Sequence, residues 1–394
     1  MQVNLALTVK GNNMRYLSLA YISYFFLKFS GYTTLNVTVP SSFLRILVLF
    51  FLMCTLLTDG QASTRYRLMF SAVILAFCVL TLRAKILNDL SMMDSDFIFF
   101  LLFLMASTTY EKIVRIVRIS FWMNLVGVIF LMVLVFLHRI SNYVTINTDL
   151  SVRKAWGFRS PNGLGCSIAF ICINYIFLNR NKKGLIGRLI ITLVINYVTY
   201  TQTKSRTSFI SYIVFCILMC FIGVKKEKIP IFTRYSLNVL IWILPFAAVI
   251  FPYLYKDSKF WIILNRVLSY RLIMGHQYYE IFGIHLFGSM ASDTIPYNWG
   301  NWIQTFLIDS TYVRLLLEFG LIAFVFILGY VFIMTKRLLN SEFPVLITFV
   351  FIGIMYGVTE RLAYHVDVFP LILLLNPVYL GQLKKINGEF FNEK

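Results

Sequence analysis

Long apolar runs separated by short polar segments fill most of this chain. A membrane-crossing helix needs about 20 mostly apolar residues at a rise of about 1.5 Å each. By that measure the pattern predicts about twelve spans. They lie near 16–36, 42–58, 68–83, 96–110, 119–138, 163–179, 188–203, 207–224, 236–255, 311–334, 343–359 and 366–383. The expected fold class is an all-α polytopic membrane protein, one integral membrane domain over 1–394. The long polar interruption runs from Lys256 to Glu318, and its 256–310 part forms a large loop between the ninth and tenth spans. Inside it, Trp261-Ile262-Ile263-Leu264, Val267-Leu268 and Leu272-Ile273-Met274 predict helix lying on the membrane surface. That helix would set Arg266 one turn from Tyr270, and His276 one turn from Glu280.

Composition removes the soluble alternative. Of 394 residues, 59% are hydrophobic and only 13% charged, with mean hydropathy +0.76, against about 45–50% and about 25% in soluble domains. The formal charge of +19 therefore reads as loop Lys and Arg that orient helices, not as a nucleic-acid surface. One alternate set of loops holds Lys10, Arg15, Arg65, Arg67, Arg180, Lys182, Lys183, Arg188, Lys225, Lys226, Lys228, Arg234, Lys336, Arg337, Lys384, Lys385 and Lys394. This set is the more basic, so both termini are expected in the cytoplasm and the 256–310 loop outside. In the same set Lys112, Arg115 and Arg118 fall on one helical stripe, expected to face anionic lipid head groups as an interfacial linker. The first residues, Met1-Gln2-Val3-Asn4, lack a basic n-region, so no removable signal peptide is expected. The six cysteines all lie in apolar runs, which argues against a disulfide framework or a metal site.

No glycine-rich phosphate loop, HExxH or paired CxxC occurs, so neither cofactor nor metal is expected. Chemistry is instead suggested by basic residues on the outward side. Arg153, Lys154 and Arg159 precede Pro161-Asn162-Gly163. Lys204 and Arg206 share a short turn, Arg266 and Arg271 lie in the long loop, and Arg361 follows Glu360. Together they imply a basic external mouth suited to an anionic ligand, because guanidinium groups offer phosphate two parallel donors. Arg314 and Glu318, at i,i+4, read as an ion pair that eases burial of both. Glu360 is a carboxylate at a membrane edge, and Glu280 beside His276 would orient that imidazole.

The order of these segments resembles the Wzy-type bacterial polysaccharide polymerases, which are related to the O-antigen ligases. The resemblance spans roughly 155–375, in matching order. It is carried by Arg159-Ser160-Pro161-Asn162-Gly163-Leu164-Gly165, Ser205-Arg206-Thr207, Arg271 followed by Leu286-Phe287-Gly288, Asp309-Ser310-Thr311-Tyr312 through Leu317-Glu318-Phe319-Gly320, and Gly357-Val358-Thr359-Glu360. Asp309 stands where the ligases carry His, which favours a polymerase. No second glycine closely follows Gly288.

What the resemblance implies is glycosyl transfer on the outer face of the bacterial cytoplasmic membrane. Undecaprenyl-diphosphate-linked oligosaccharide repeats would be joined into surface polysaccharide. Arg159, Arg206 and Arg271, with Arg266, Arg314, Tyr312 and Asn162, would bind the diphosphate and sugars. Asp309 is the first choice of catalytic base, with Glu360 and His276 behind it. Loop aromatics such as Tyr297, Trp299 and Trp302 would contact sugar. The expected partners are the lipid-linked oligosaccharide, the bilayer, a chain-length regulator and a flippase. Two alternatives stay open: an O-antigen-type ligase, or a polysaccharide flippase or other transporter.

Overall fold

The computed structural model describes residues 2–35, 40–59, 63, 68–69, 71–72, 95–146, 152–223, 230–289, 294–299, 302–307, 309–341, 343, 345–360 and 364–380. At 2–12, 95, 146, 223, 231, 294–299 and 302–307 it describes only the backbone. These residues are mostly helical. In chain order they form α1 (Gln2–Tyr32), α2 (Ser41–Leu57), α3 (Ser95–Ala106), α4 (Tyr110–Phe136), β1 (Val144–Ile146), β2 (Val152–Lys154), α5 (Pro161–Asn179), α6 (Leu185–Thr203) and α7 (Arg206–Leu218). There follow α8 (Ile231–Tyr253), α9 (Lys259–Val267), α10 (Arg271–Phe282), β3 (Thr294–Trp299), β4 (Trp302–Leu307), α11 (Thr311–Leu339), α12 (Val345–Gly357) and a 3-10 helix, Pro370–Leu375. Among the described residues four helices are long and apolar enough to cross a membrane: Tyr110–Phe136, Pro161–Asn179, Phe232–Tyr253 and Thr311–Leu339. Ser41–Leu57, Asp96–Ala106, Arg206–Ile222 and Val345–Gly357 are shorter apolar helices. Most of the span expected at 68–83 lies outside the described residues, as do Arg65, Arg67, Lys225, Lys226, Lys228, Asp293, Arg361, Lys384, Lys385 and Lys394.

The chain divides into two compact units. Unit 1 comprises Met1–Phe70, Leu102–Lys228 and Val366–Lys394. Its core is fastened by buried polar links between apolar helices. Lys112 Nζ lies 2.7 Å from Asp59 Oδ2, and Thr108 Oγ1 donates to the same oxygen at 2.6 Å. The stripe expected to meet lipid head groups is thus split: Lys112 is buried against Asp59, and Arg115 donates to Ser18 Oγ at 2.7 Å. A buried ammonium needs a counter-ion, and Asp59 supplies it from a loop that helical periodicity in α4 cannot see.

The stretch read as a twelfth span at 366–383 is not one α-helix. Its Pro370–Leu375 part is a 3-10 turn buried in protein, and Asn376 then caps a new turn by accepting from Val378 N at 2.8 Å and Tyr379 N at 3.0 Å. Tyr21 Oη and Asn124 Nδ2 hold the Asp367 carbonyl at 3.0 and 2.8 Å. Irregular backbone is tolerated in an apolar setting only where protein groups satisfy it, and here they do.

Unit 2 comprises Ser71–Leu101 and Ile229–His365. α8 and α11 pack through Trp242 and Phe332, with ring centroids 4.3 Å apart. α10 lies against α8 at Gly275, where an added Cβ would come within 2.7 Å of Pro252. The 256–310 loop supplies α9, α10 and an antiparallel hairpin that pairs Thr294 with Leu307 and Trp299 with Trp302. α11 is two helices in sequence, broken at Gly320, where φ is 87°. Three backbone groups at the break are met by the non-helical segment before the hairpin. Ser289 N donates to Leu317 O at 2.7 Å, while Leu321 N and Ile322 N donate to His285 O and Leu286 O at 3.0 and 3.2 Å.

Candidate functional site

The main cluster belongs to unit 2 and begins with a tight turn. α9 ends at Val267, and Ser269 and Tyr270 both adopt left-handed backbone (φ 55° and 64°). This conformation costs a non-glycine residue roughly 1–2 kcal/mol and persists only when its surroundings enforce it. The enforcing residue is Asn265, which is buried. Its carbonyl accepts from Tyr270 N at 2.7 Å, and its Oδ1 accepts from Leu272 N at 3.1 Å and Ile273 N at 3.2 Å. Those amides are orphan donors at the start of α10, so Asn265 does the work of an N-cap from a neighbouring helix. Because the turn interrupts the helix, Arg266 and Tyr270 are not successive positions on one helical face, and Arg266 is exposed. Asn265→Ala should cost about 1 kcal/mol of stability. Hydrogen exchange at the Leu272 and Ile273 amides should speed up selectively, and unchanged exchange there would refute the cap.

The turn aims Arg271. Its Nε donates to the Thr359 carbonyl at 2.7 Å, one terminal nitrogen donates to Glu360 Oε1 at 2.7 Å, and the same nitrogen lies 3.6 Å from Asp309 Oδ2. The Glu360 backbone is held by Thr311 Oγ1, which donates to its carbonyl at 2.7 Å. Arg271 and Asp309 line a cavity of about 230 Å³ whose other walls are largely apolar, among them Leu244, Ala248, Phe251, Leu268 and Val313. With few dipoles competing, charge on this wall is felt strongly. Chemically the cluster is two carboxylates sharing one guanidinium. Such a set can accept a proton or a hydroxyl's hydrogen bond, and its own cation is already engaged.

Three residues singled out by the sequence, Arg271, Asp309 and Glu360, are thus brought together. His276 is not with them. Its Nδ1 faces the Pro252 carbonyl at 3.0 Å and its Nε2 lies 3.4 Å from Glu280 Oε1, the expected i,i+4 pair. Nearby, burial pushes the Tyr279 phenol well above its usual range, so it stays protonated and donates to Val249 O at 3.3 Å. Arg314 and Glu318 form the expected buried pair, Nε to Oε1 2.6 Å. The Tyr312 hydroxyl donates to the Ile354 carbonyl at 2.8 Å inside the protein. The side chains of Tyr297, Trp299 and Trp302 lie outside the described residues.

Unit 1 carries its own basic group. Ser160 caps α5 by accepting from Gly163 N at 3.0 Å, with Pro161 in the first turn, and Arg159 Nε donates to Thr33 O at 2.9 Å. Arg153 ties the two loops of this group, since its Nε donates to Thr203 O at 2.8 Å and its Nη2 to Asn162 Oδ1. Asn162 is therefore a clamp partner for Arg153. The Ser205 turn packs so closely on Gly165 that a Cβ there would meet Ser205 Cβ at 2.8 Å. Arg159 and Arg206 are exposed, and among the described residues neither has a carboxylate partner. Among the described residues no group of three or more His, Cys, Asp or Glu is placed to hold a metal ion.

Sequence reasoning missed Asn265 and the clamping role of Arg153. An asparagine just before a helix end was the available signal for the first. Nothing in spacing reveals the second. Compared with protein-family models, with curated proteins and with solved structures, the chain matches none.

Proposed function

We propose that this chain is a multi-pass enzyme of the bacterial cytoplasmic membrane that polymerises lipid-diphosphate-linked oligosaccharide repeats. The observation that carries the reading is the Arg271–Glu360–Asp309 cluster on an otherwise apolar cavity. The resemblance in motif order supports it, as do Arg159 and Arg206, which are exposed and, among the described residues, have no carboxylate partner. In this reading the chain crosses the membrane about twelve times, has both termini inside and exposes 256–310 outside. Asp309 takes the proton of the acceptor's sugar hydroxyl, and that oxygen attacks the anomeric carbon of the donor. The bond from that carbon to the diphosphate breaks, and the diphosphate leaves as an anion. On the motif order, binding of the lipid diphosphate is assigned to Arg159 and Arg206. Arg271, already engaged by two carboxylates, holds them in position beside the cavity.

The test is elongation by purified protein in vesicles carrying lipid-linked repeats. Asp309→Asn should slow elongation about 10²–10⁴-fold, and Arg159→Ala or Arg206→Ala should abolish polymer while insertion is unchanged. Wild-type polymer from Asp309→Asn would remove it as base. A second reading, a transporter, draws on the break in α11 at Gly320, because interrupted helices often form transport sites. Movement of lipid-linked glycan across the vesicle membrane without elongation would decide for it.

A further inference from the structure

Beyond the end of α4, within unit 1, lies a surface cavity of about 740 Å³ lined by Phe136, His138, Arg139, Ser141, Asn142 and Trp156, among others. Acceptors around it are largely engaged already. Leu137 N donates to Val133 O at 2.9 Å, Arg139 N to Leu134 O at 2.8 Å and His138 N to Val135 O at 3.0 Å, which occupies the last carbonyls of α4. The Ser141 carbonyl accepts from Thr34 Oγ1 at 3.4 Å. Asn142 Oδ1 accepts from Trp156 N at 2.9 Å. A backbone N–H can only donate, so this contact fixes the amide and leaves Nδ2 as the end with donors to offer. Arg139 and His138 are exposed. Among the described residues neither of their side chains, nor the Trp156 indole N–H, has a hydrogen-bond or ion-pair partner. No described acidic residue lines the cavity. Trp156 is kept in place by a left-handed backbone (φ 46°), disfavoured for a residue with a side chain and secured here by Asn142. A positive, donor-rich lining beside two aromatic side chains suits an anion that also has an apolar ring face.

We propose that this cavity holds a carboxylate-bearing sugar, a uronic acid residue of a glycan. The carboxylate accepts from the Arg139 guanidinium and the Asn142 amide, charge-assisted contacts that a neutral hexose cannot make. The C–H face of the ring lies against Trp156, and its hydroxyl oxygens accept from Ser141, His138 and the indole N–H. A lipid phosphate alone would engage the cations and leave the aromatic side chains and most of the volume unused. The inference concerns binding in unit 1 only. Failure of the Asp309 mechanism would leave it standing, and its own failure would leave that mechanism untouched.

The experiment uses the full chain in nanodiscs of zwitterionic lipid and tetragalacturonate labelled with a fluorophore at its reducing end, read by anisotropy. Unlabelled tetragalacturonate should compete at least about tenfold better than its fully methyl-esterified form, the margin of one charge-assisted contact. Glycerol phosphate, the headgroup of an anionic lipid, should also compete at least about tenfold less well than the tetragalacturonate. Arg139→Gln, at an exposed position, should melt as wild type does, yet weaken the acid about tenfold and the ester hardly at all. Asn142→Asp keeps the oxygen that secures Trp156 and replaces the amide donors with a negative oxygen, so it should erase the preference for the acid. Equal competition by the ester, equal competition by glycerol phosphate, or wild-type affinity in Arg139→Gln would each overturn the proposal.

Discussion

Arg271→Ala will strip two carboxylates of the cation they share, and this is the substitution expected to cost most at the site. The wild-type guanidinium is nearly buried and holds Glu360, Asp309 and the Thr359 carbonyl at once. Removing one partner of a buried charge pair costs about 3–5 kcal/mol, because the other charge is left uncompensated. Arg271→Lys should recover little, since a point charge cannot reproduce the fork that reaches both Glu360 and the Thr359 carbonyl. Thermal unfolding of the purified variants at neutral pH reads the effect. Glycan elongation should fail in both variants. A melting temperature unchanged from wild type in Arg271→Ala would show that the cluster is not holding the Glu360 segment.

Gly320→Ala is the second. At φ 87° an L side chain is strained, at roughly 1–2 kcal/mol. Its Cβ would also overlap the Gly288 nitrogen and the Leu286 carbonyl oxygen, which are backbone atoms with no rotamer to escape into. Overpacking adds about 1–3 kcal/mol, so a total near 2–5 kcal/mol is expected. Gly288→Ala meets the Glu318 carbonyl from the other side and should behave alike. Because the 285–289 segment supplies the partners of the broken helix, both variants should expose it. Limited proteolysis should cut near His285–Ser289 faster than in wild type, and equal cutting rates would refute the interlock.

The candidate site was only partly legible in advance. Asp309, Glu360 and Arg271 each stood out as an ionisable residue in or beside apolar sequence, where charge is costly and so has a reason to be kept. Their meeting was not legible, since Arg271 and Glu360 are 89 positions apart. The i,i+4 pairs Arg314–Glu318 and His276–Glu280 were read correctly because helical spacing is local. The same rule failed for Arg266 and Tyr270, where Asn265 stabilises a turn that ends the helix. It failed again at Lys112, whose stripe neighbours gave no sign of Asp59.

The sequence by itself determined the apolar, helical character of the chain and where most helices lie. Hydrophobicity and its period are properties of neighbouring residues, and water or lipid acts on them wherever they fold. Three things were decided only by tertiary structure: the break of α11 at Gly320, the buried 3-10 turn at Pro370–Leu375, and the gathering of Asp309 and Glu360 on one guanidinium. Each depends on backbone or charged groups satisfied by partners distant in sequence. A buried polar group must find such a partner, and which one it finds is a matter of packing.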